Sequence, residues 1–377
     1  MLSPSQDNDF SVPVRARATE PGRPRLEVPG AIAARSDLGE APQAGRAPFR
    51  VVALGGGTGL PAVLRGLKHL LFPEPGRWLG PRDRGRLTAI VTVADDGGSS
   101  GRLRDAYRIL PPGDIRNCLL ALSSAESTMS RLFTFRFGGN GEVGGHSLGN
   151  LILSALCHLE GDFCEAVEQA GRMLGIRGRI LPVTLSEVNL KAEFDDGSTV
   201  EGESRIPIVR RQIRRVRLLP GDASILPEAA AALAAADVIV IGPGSLYTSL
   251  ISILLVDGVA DAIARSSGRV VLVMNLMTEP GETDNYTAVD HVLAVRRHAP
   301  RVRIDDVLLN TGEIPEPLLH RYSTDHAVPV NPDQEILRAL GYRVLERDLL
   351  GIDEKVRHDA DKLAHALLEA AMNKEAV

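Results

Sequence analysis

Four short stretches of this chain carry residues whose type and spacing suit the handling of phosphate. Gly55-Gly56-Gly57-Thr58-Gly59 follows the apolar run Phe49–Leu54, and Gly242-Pro243-Gly244-Ser245 follows the apolar run Asp237–Ile241. Glycine at a strand-to-helix turn lets backbone approach a ligand closely. The helix that follows offers free N–H groups and the positive end of its dipole. Ser245 adds a hydroxyl donor. Asp95-Asp96 closes the run Leu87–Ala94 and leads into Gly97-Gly98-Ser99-Ser100-Gly101. An acid at that place serves as a ribose-hydroxyl acceptor, as a ligand for Mg²⁺ facing phosphates, or as a turn and cap residue. The sequence leaves all three open. Asn275 ends a fourth apolar run, Val270–Met274.

Other candidates stand beside these turns. His146-Ser147-Leu148-Gly149-Asn150 opens a helix with Ser147 as its cap, which makes His146 and Asn150 candidates for the cleft or for a structural network. Pro280-Gly281 interrupts any helix after Asn275, so Thr278–His291 must start as a loop across the sheet edge. Tyr286 near its end either stacks on a base or sugar or anchors the loop to the core. Arg321 either grips a pyrophosphate or is a solvated surface residue. Ser245 lies in G-P-G-S-L and not in G-x-S-x-G, so no nucleophile elbow is present.

The elements that position these residues follow from periodicity. Leu60, Val63, Leu64, Leu67 and Leu71 share one helical face after the first glycine turn. Further helices are expected over Pro112–Ser124, Ser147–Leu159 and Pro227–Ala236, and another from Ala288. Asp306–Asn310 is a fifth buried strand, Lys191–Glu203 a hairpin around Asp195-Asp196-Gly197, and Arg214–Leu219 one more strand. Strands alternating with helices imply an α/β fold with a doubly wound, mainly parallel sheet covered on both faces. Ligands in such sheets sit beyond the carboxyl ends of the strands. The Gly55 turn has the form of a dinucleotide-binding fingerprint. Its acidic partner, Asp95, holds the right topological place but lies farther on than the usual ~20 residues.

Bulk properties narrow the function further. The chain has 377 residues, 44% hydrophobic and 24% charged, with a formal net charge of −5. That charge creates no basic field for nucleic acid, and the arginines Arg205, Arg210, Arg211, Arg214, Arg215 and Arg217 read as a solvated face. Cys118, Cys157 and Cys164 show neither disulfide nor zinc spacing, which fits a reducing compartment. No apolar run approaches the ~20 residues of a membrane span, and no secretory signal is seen. Residues 1–48 hold seven prolines and one aromatic, Phe10, and are expected to be a disordered extension. Residues 49–377 are expected to form the nucleotide-binding domain, with a hairpin insertion at about 183–219.

Several strings together resemble one family. They are V-V-A-L-G-G-G-T-G-L-P, T-A-I-V-T-V-A-D-D-G-G-S-S-G-R-L-R, P-G-D-I-R-N, G-H-S-L-G-N-L-I-L, G-P-G-S-L-Y-T-S and N-L-M-T-E-P-G-E-T-D-N-Y-T-A-V-D-H. In this order they are similar to the gluconeogenesis-factor (YvcK-like) family of the CofD-like superfamily, from Phe49 to the C-terminal helix. The resemblance implies a Rossmann-like fold and a cytoplasmic protein that binds UDP-sugars, UDP-N-acetylglucosamine in particular. It implies a regulator needed for cell shape and envelope synthesis during gluconeogenic growth, with no assigned catalytic residue, no required cofactor and no known metal. Cell-wall synthesis machinery and a second copy of the chain are the implied partners. Positions matching Tyr286 and Arg321 are associated with UDP-sugar binding in the family. The alternatives are a nucleotide-dependent 2-phospholactate-type transferase using Mg²⁺, or a dinucleotide enzyme. Against the transferase branch stands G-P-G-S-L-Y-T-S, where those enzymes carry a G-P-S-N-P-like turn.

Overall fold

The computed structural model describes residues 49–74, 79–124, 127–351 and 354–372. The expected extension 1–48 lies outside the described residues. Seven strands form one parallel sheet in the order β10-β9-β8-β7-β1-β2-β3. They are β1 (Val51–Gly55), β2 (Leu87–Val91), β3 (Arg179–Pro182), β7 (Val238–Ile241), β8 (Arg269–Val273), β9 (Asp306–Asn310) and β10 (Arg343–Arg347). Between β3 and β7, the strands β4 (Asn189–Phe194), β5 (Thr199–Glu201) and β6 (Ile213–Leu219) make a separate antiparallel sheet, ordered β5-β4-β6.

Successive side chains of a strand point to opposite faces, so a strand covered on both sides reads as a continuous apolar run. In β1, Val51 and Ala53 enter one core with Leu60, Leu64 and Leu67 of the helix Gly59–Leu71 and with Leu363 and Leu367 of the helix Ala360–Met372. Val52 and Leu54 enter the other. That second core holds the helices Pro227–Ala234, Val259–Arg265 and Ala288–His298 and the inner face of the small sheet, including Leu190, Phe194, Ile213 and Val216. The chain runs from β1 out to β2 and β3 on one side, and from β7 out to β8, β9 and β10 on the other. The order therefore reverses between β1 and β7.

Asp306, at the start of β9, is fully buried and is held from both neighbours. Arg269 of β8 and Arg343 of β10 each reach its two carboxylate oxygens at 2.6–2.8 Å. Burial alone would raise its pKa, but the two guanidinium groups outweigh that and lower it.

Candidate functional site

A crevice opens at the carboxyl ends of parallel strands where their order reverses. Here it is a cavity of about 480 Å³, lined by Gly57, Thr58 and Gly59 after β1, by Gly244 and Ser245 after β7, and by Asn275 after β8. The two turns pack against each other. A Cβ at Gly59 would stand 2.2 Å from the Pro243 carbonyl oxygen, so no larger residue fits there. Gly57 has φ +60°, the left-handed region that suits glycine. The helix Gly59–Leu71 starts with no side-chain cap and no acid in its first turn. Asn275 braces the opposite wall by accepting from the Gly244 N–H at 3.1 Å and donating to the Gly244 carbonyl at 2.9 Å.

Two cations face this space. Arg65, from the helix Gly59–Leu71, and Arg357 both line the cavity, and neither forms an ion pair with a carboxylate among the described residues. Burial and then the charge of Arg357 lower the pKa of Arg65. Two like charges held together in this way are relieved by an anion between them. Asn117 adds an amide to the wall and Glu279 a carboxyl that hydrogen-bonds Ser245. Burial raises the pKa of Glu279.

Behind the β1 turn lies a layer of acids. Asp114 accepts from the Gly57 N–H at 2.8 Å, and burial pushes its pKa to about 6 against the pull of that hydrogen bond, with the charge of Asp95 adding to the rise. Glu203 is raised to about 7, by burial first and then by the charge of Asp95. Asp95 accepts from Gly97 N–H at 2.9 Å and Asp96 from Ser204 N–H at 2.9 Å. These carboxylates repel one another without converging as ligands. Among the described residues, no three of His, Cys, Asp and Glu are placed to hold a metal ion.

Three expected site residues come together in one buried network. Ser99 Oγ lies 3.0 Å from His146 Nδ1 and accepts from Asn150 Nδ2 at 3.1 Å, while Asn150 Oδ1 accepts from Arg116 at 3.0 Å. Arg116 also donates to Asn117, so the network ends at the cavity wall. Burial, then Arg102 and Arg136, lower the pKa of His146 and favour the neutral ring. Ser147 caps the helix Leu148–Glu160, accepting from the Asn150 N–H.

Gly56 and Gly242 sit within the two turns but do not line the cavity, and Tyr286 and Arg321 stand apart from it as well. The Tyr286 hydroxyl lies 2.8 Å from that of buried Tyr247, and its ring packs edge-on against Tyr247 and His291. That holds the loop after β8 against the helical turn after β7. Arg321, exposed on the helix Glu316–Ser323, donates to the Glu354 carbonyl at 2.8 Å. It thereby supports the segment that presents Arg357 and His358 to the cavity. Sequence reasoning missed Arg65, Asp114, Asn117, Glu203, Glu279, Glu282 and Arg357. Glu279, Glu282, Asp114 and Asn117 lie in recognisable motifs, whereas Arg65 and Arg357 carry no local signal.

Comparisons with known proteins give the family and the fold. A family model described as 2-phospho-L-lactate transferase CofD matches residues 51–350. The chain is 44% identical over 321 residues to the gluconeogenesis factor of Bacillus subtilis, covering 85% of this chain and 97% of that protein. It is 45% identical over 325 residues to the gluconeogenesis factor of Halalkalibacterium halodurans, covering 85% and 95%. A crystal structure of a UPF0052-family protein from Bacillus halodurans superposes with a TM-score of 0.79 at 44% identity, covering 85% of this chain and 99% of that one.

Proposed function

Because the chain belongs to the CofD family and is 44–45% identical to gluconeogenesis factors, we propose that it is a nucleotide-sugar-binding regulator, taking UDP-N-acetylglucosamine or a close relative. The observation that carries this reading is the pair Arg65 and Arg357, neither paired with a carboxylate among the described residues, in the cavity at the β1–β7 reversal. The pyrophosphate lies between them, over the uncapped start of the helix Gly59–Leu71. The amides after Gly57 and Gly244 approach its oxygens, as glycine turns permit. Asn117 and the polar wall toward Glu279 receive the sugar. Such a protein reports the supply of an envelope precursor in the cytoplasm, and through it acts on cell-wall synthesis and cell shape.

Calorimetric titration of UDP-N-acetylglucosamine tests this. Arg65→Ala and Arg357→Ala should each weaken binding at least tenfold, ~1.4 kcal/mol. If both folded variants bind as the parent does, the nucleotide lies elsewhere.

One observation favours a second reading, a nucleotide-dependent transferase. Asp114 and Glu203 are carboxyls poised near neutrality beside the glycine turn, the range in which a general base works. Mass analysis of the ligand after incubation with the protein, with 2-phospho-L-lactate added as acceptor and with water alone, separates the two. An unchanged ligand favours the regulator; a shortened nucleotide favours the transferase.

A further inference from the structure

A second cavity, of about 640 Å³, opens between the helix Gly98–Tyr107 and the small antiparallel sheet, and shares no lining residue with the first. Its wall contains a buried cation without a counterion among the described residues. Arg104 is 8% exposed; one terminal nitrogen donates to Asn189 Oδ1 at 2.7 Å and the other is buried with no hydrogen-bond partner among the described residues. A guanidinium out of water needs an acceptor for each of its N–H groups. Arg108 and Arg205 line the same cavity, exposed, and neither makes an ion pair among the described residues. Three arginines thus converge on one space with four carboxylates, Asp96, Asp105, Glu187 and Glu201, of which Asp96 already accepts from the Ser204 N–H and Glu201 pairs with Lys191.

The lining also says what kind of molecule fits. Every side chain in the wall is polar or charged, with no aromatic or aliphatic platform for a base or a ring system. Arginines suit phosphate oxygens in a forked arrangement. Carboxylates and amides around them suit hydroxyl groups, which can donate to the one and exchange bonds with the other. We propose that this cavity is a second ligand site, for a sugar phosphate or similar polyol phosphate, with the phosphate on Arg104, Arg108 and Arg205.

The site is joined to the nucleotide cavity by one short turn. Gly202, Ser204 and Arg205 face the second cavity. Glu203, between them, belongs to the acid layer behind the β1 glycine turn, where the charges of Asp95 and Asp114 act on it. A ligand drawn onto Arg205 acts on the same turn that holds Glu203. The second cavity is thereby placed as an effector site.

The test is calorimetric titration of glucose 6-phosphate and of fructose 6-phosphate into the full chain, with glucose and inorganic phosphate as controls. At least one sugar phosphate should bind saturably, more tightly than phosphate, and glucose should not bind. Arg108→Ala and Arg205→Ala, both exposed positions, should each weaken that binding tenfold or more with an unchanged melting temperature. Arg65→Ala should leave it unaltered, which separates this site from the nucleotide cavity whether or not a nucleotide binds there. No saturable heat with either sugar phosphate, equal affinity in both arginine variants, or loss in Arg65→Ala would each overturn the proposal.

Discussion

Tyr286 and Arg321 work at one remove from the cavity, and their side chains say how. The Tyr286 hydroxyl is hydrogen-bonded to that of Tyr247 at 2.8 Å, and Arg321 donates to the Glu354 carbonyl. Both are positioning residues in this arrangement, one for the loop bearing Glu279 and the other for the segment bearing Arg357. Removing the Tyr286 ring should loosen the loop and weaken UDP-N-acetylglucosamine binding several-fold. Tyr286→Phe keeps the ring and should lose about 1 kcal/mol of stability with little change in affinity. Arg321→Glu should weaken binding without lowering the melting temperature by more than a degree or two, as its bond is exposed. Titration and thermal unfolding of the three variants check this. Affinity lost equally in Tyr286→Phe and Tyr286→Ala would instead put the hydroxyl on the ligand. What was legible at this scale was local: glycine turns, Asp95 and Ser147 announce themselves by their neighbours. Arg65 and Arg357 do not, because only the fold brings a helix face and a distant C-terminal segment to one cavity.

At the scale of elements, the buried strands were legible and the edges were not. Val238–Ile241, Arg269–Val273 and Asp306–Asn310 lie within a residue of the expected runs because a doubly covered strand must be apolar throughout. β3 is four residues long, too short for any period, and β10 reads Arg-Val-Leu-Glu-Arg because it lies at an edge. The helix Gly98–Tyr107 was missed as well. Its opening Gly-Ser-Ser-Gly reads as a loop, yet Gly101 lies so close to the Asp96 carbonyl that a Cβ there would come within 2.0 Å of it. The outer strands depend on Asp306, which ties β8, β9 and β10 through Arg269 and Arg343. Asp306→Ala leaves two largely buried guanidinium groups facing each other. The cost should be about 3–5 kcal/mol in urea unfolding. A loss under 1 kcal/mol would mean that the arginines relax into solvent and that the clamp is dispensable.

Across the whole molecule, the groups behind the glycine turns set how stability responds to pH. Asp114, Glu203, Glu279 and Glu282 all have pKa values raised by burial, and for Glu282 the neighbouring charge of Glu279 adds to the rise. Glu282 accepts from Tyr247 N–H at 3.2 Å and from the Thr248 hydroxyl at 2.9 Å, so it joins the loop after β8 to the turn after β7. A carboxyl raised in the folded state contributes full stability below its unfolded pKa. That contribution is lost as pH rises through the folded value, about 6 for Asp114 and about 7 for Glu203. The histidines act in the opposite sense. His146, His291, His298 and His358 are lowered by burial, His358 to about 4, so their stability is present above their unfolded pKa and lost as pH falls. Below about pH 6.5 the two sets oppose each other. Above it the histidines are neutral in both states, and only the acids still distinguish folded from unfolded chain. The melting temperature of the ligand-free protein should therefore fall from pH 6.5 to 8 at constant ionic strength. Glu203→Gln and Glu282→Gln should each flatten the fall, because an amide cannot ionise. Scanning calorimetry of the parent and both variants across that interval decides it. A parent whose melting temperature is level or rising there would show that these carboxyls are solvated in the folded protein and that burial does not hold them protonated.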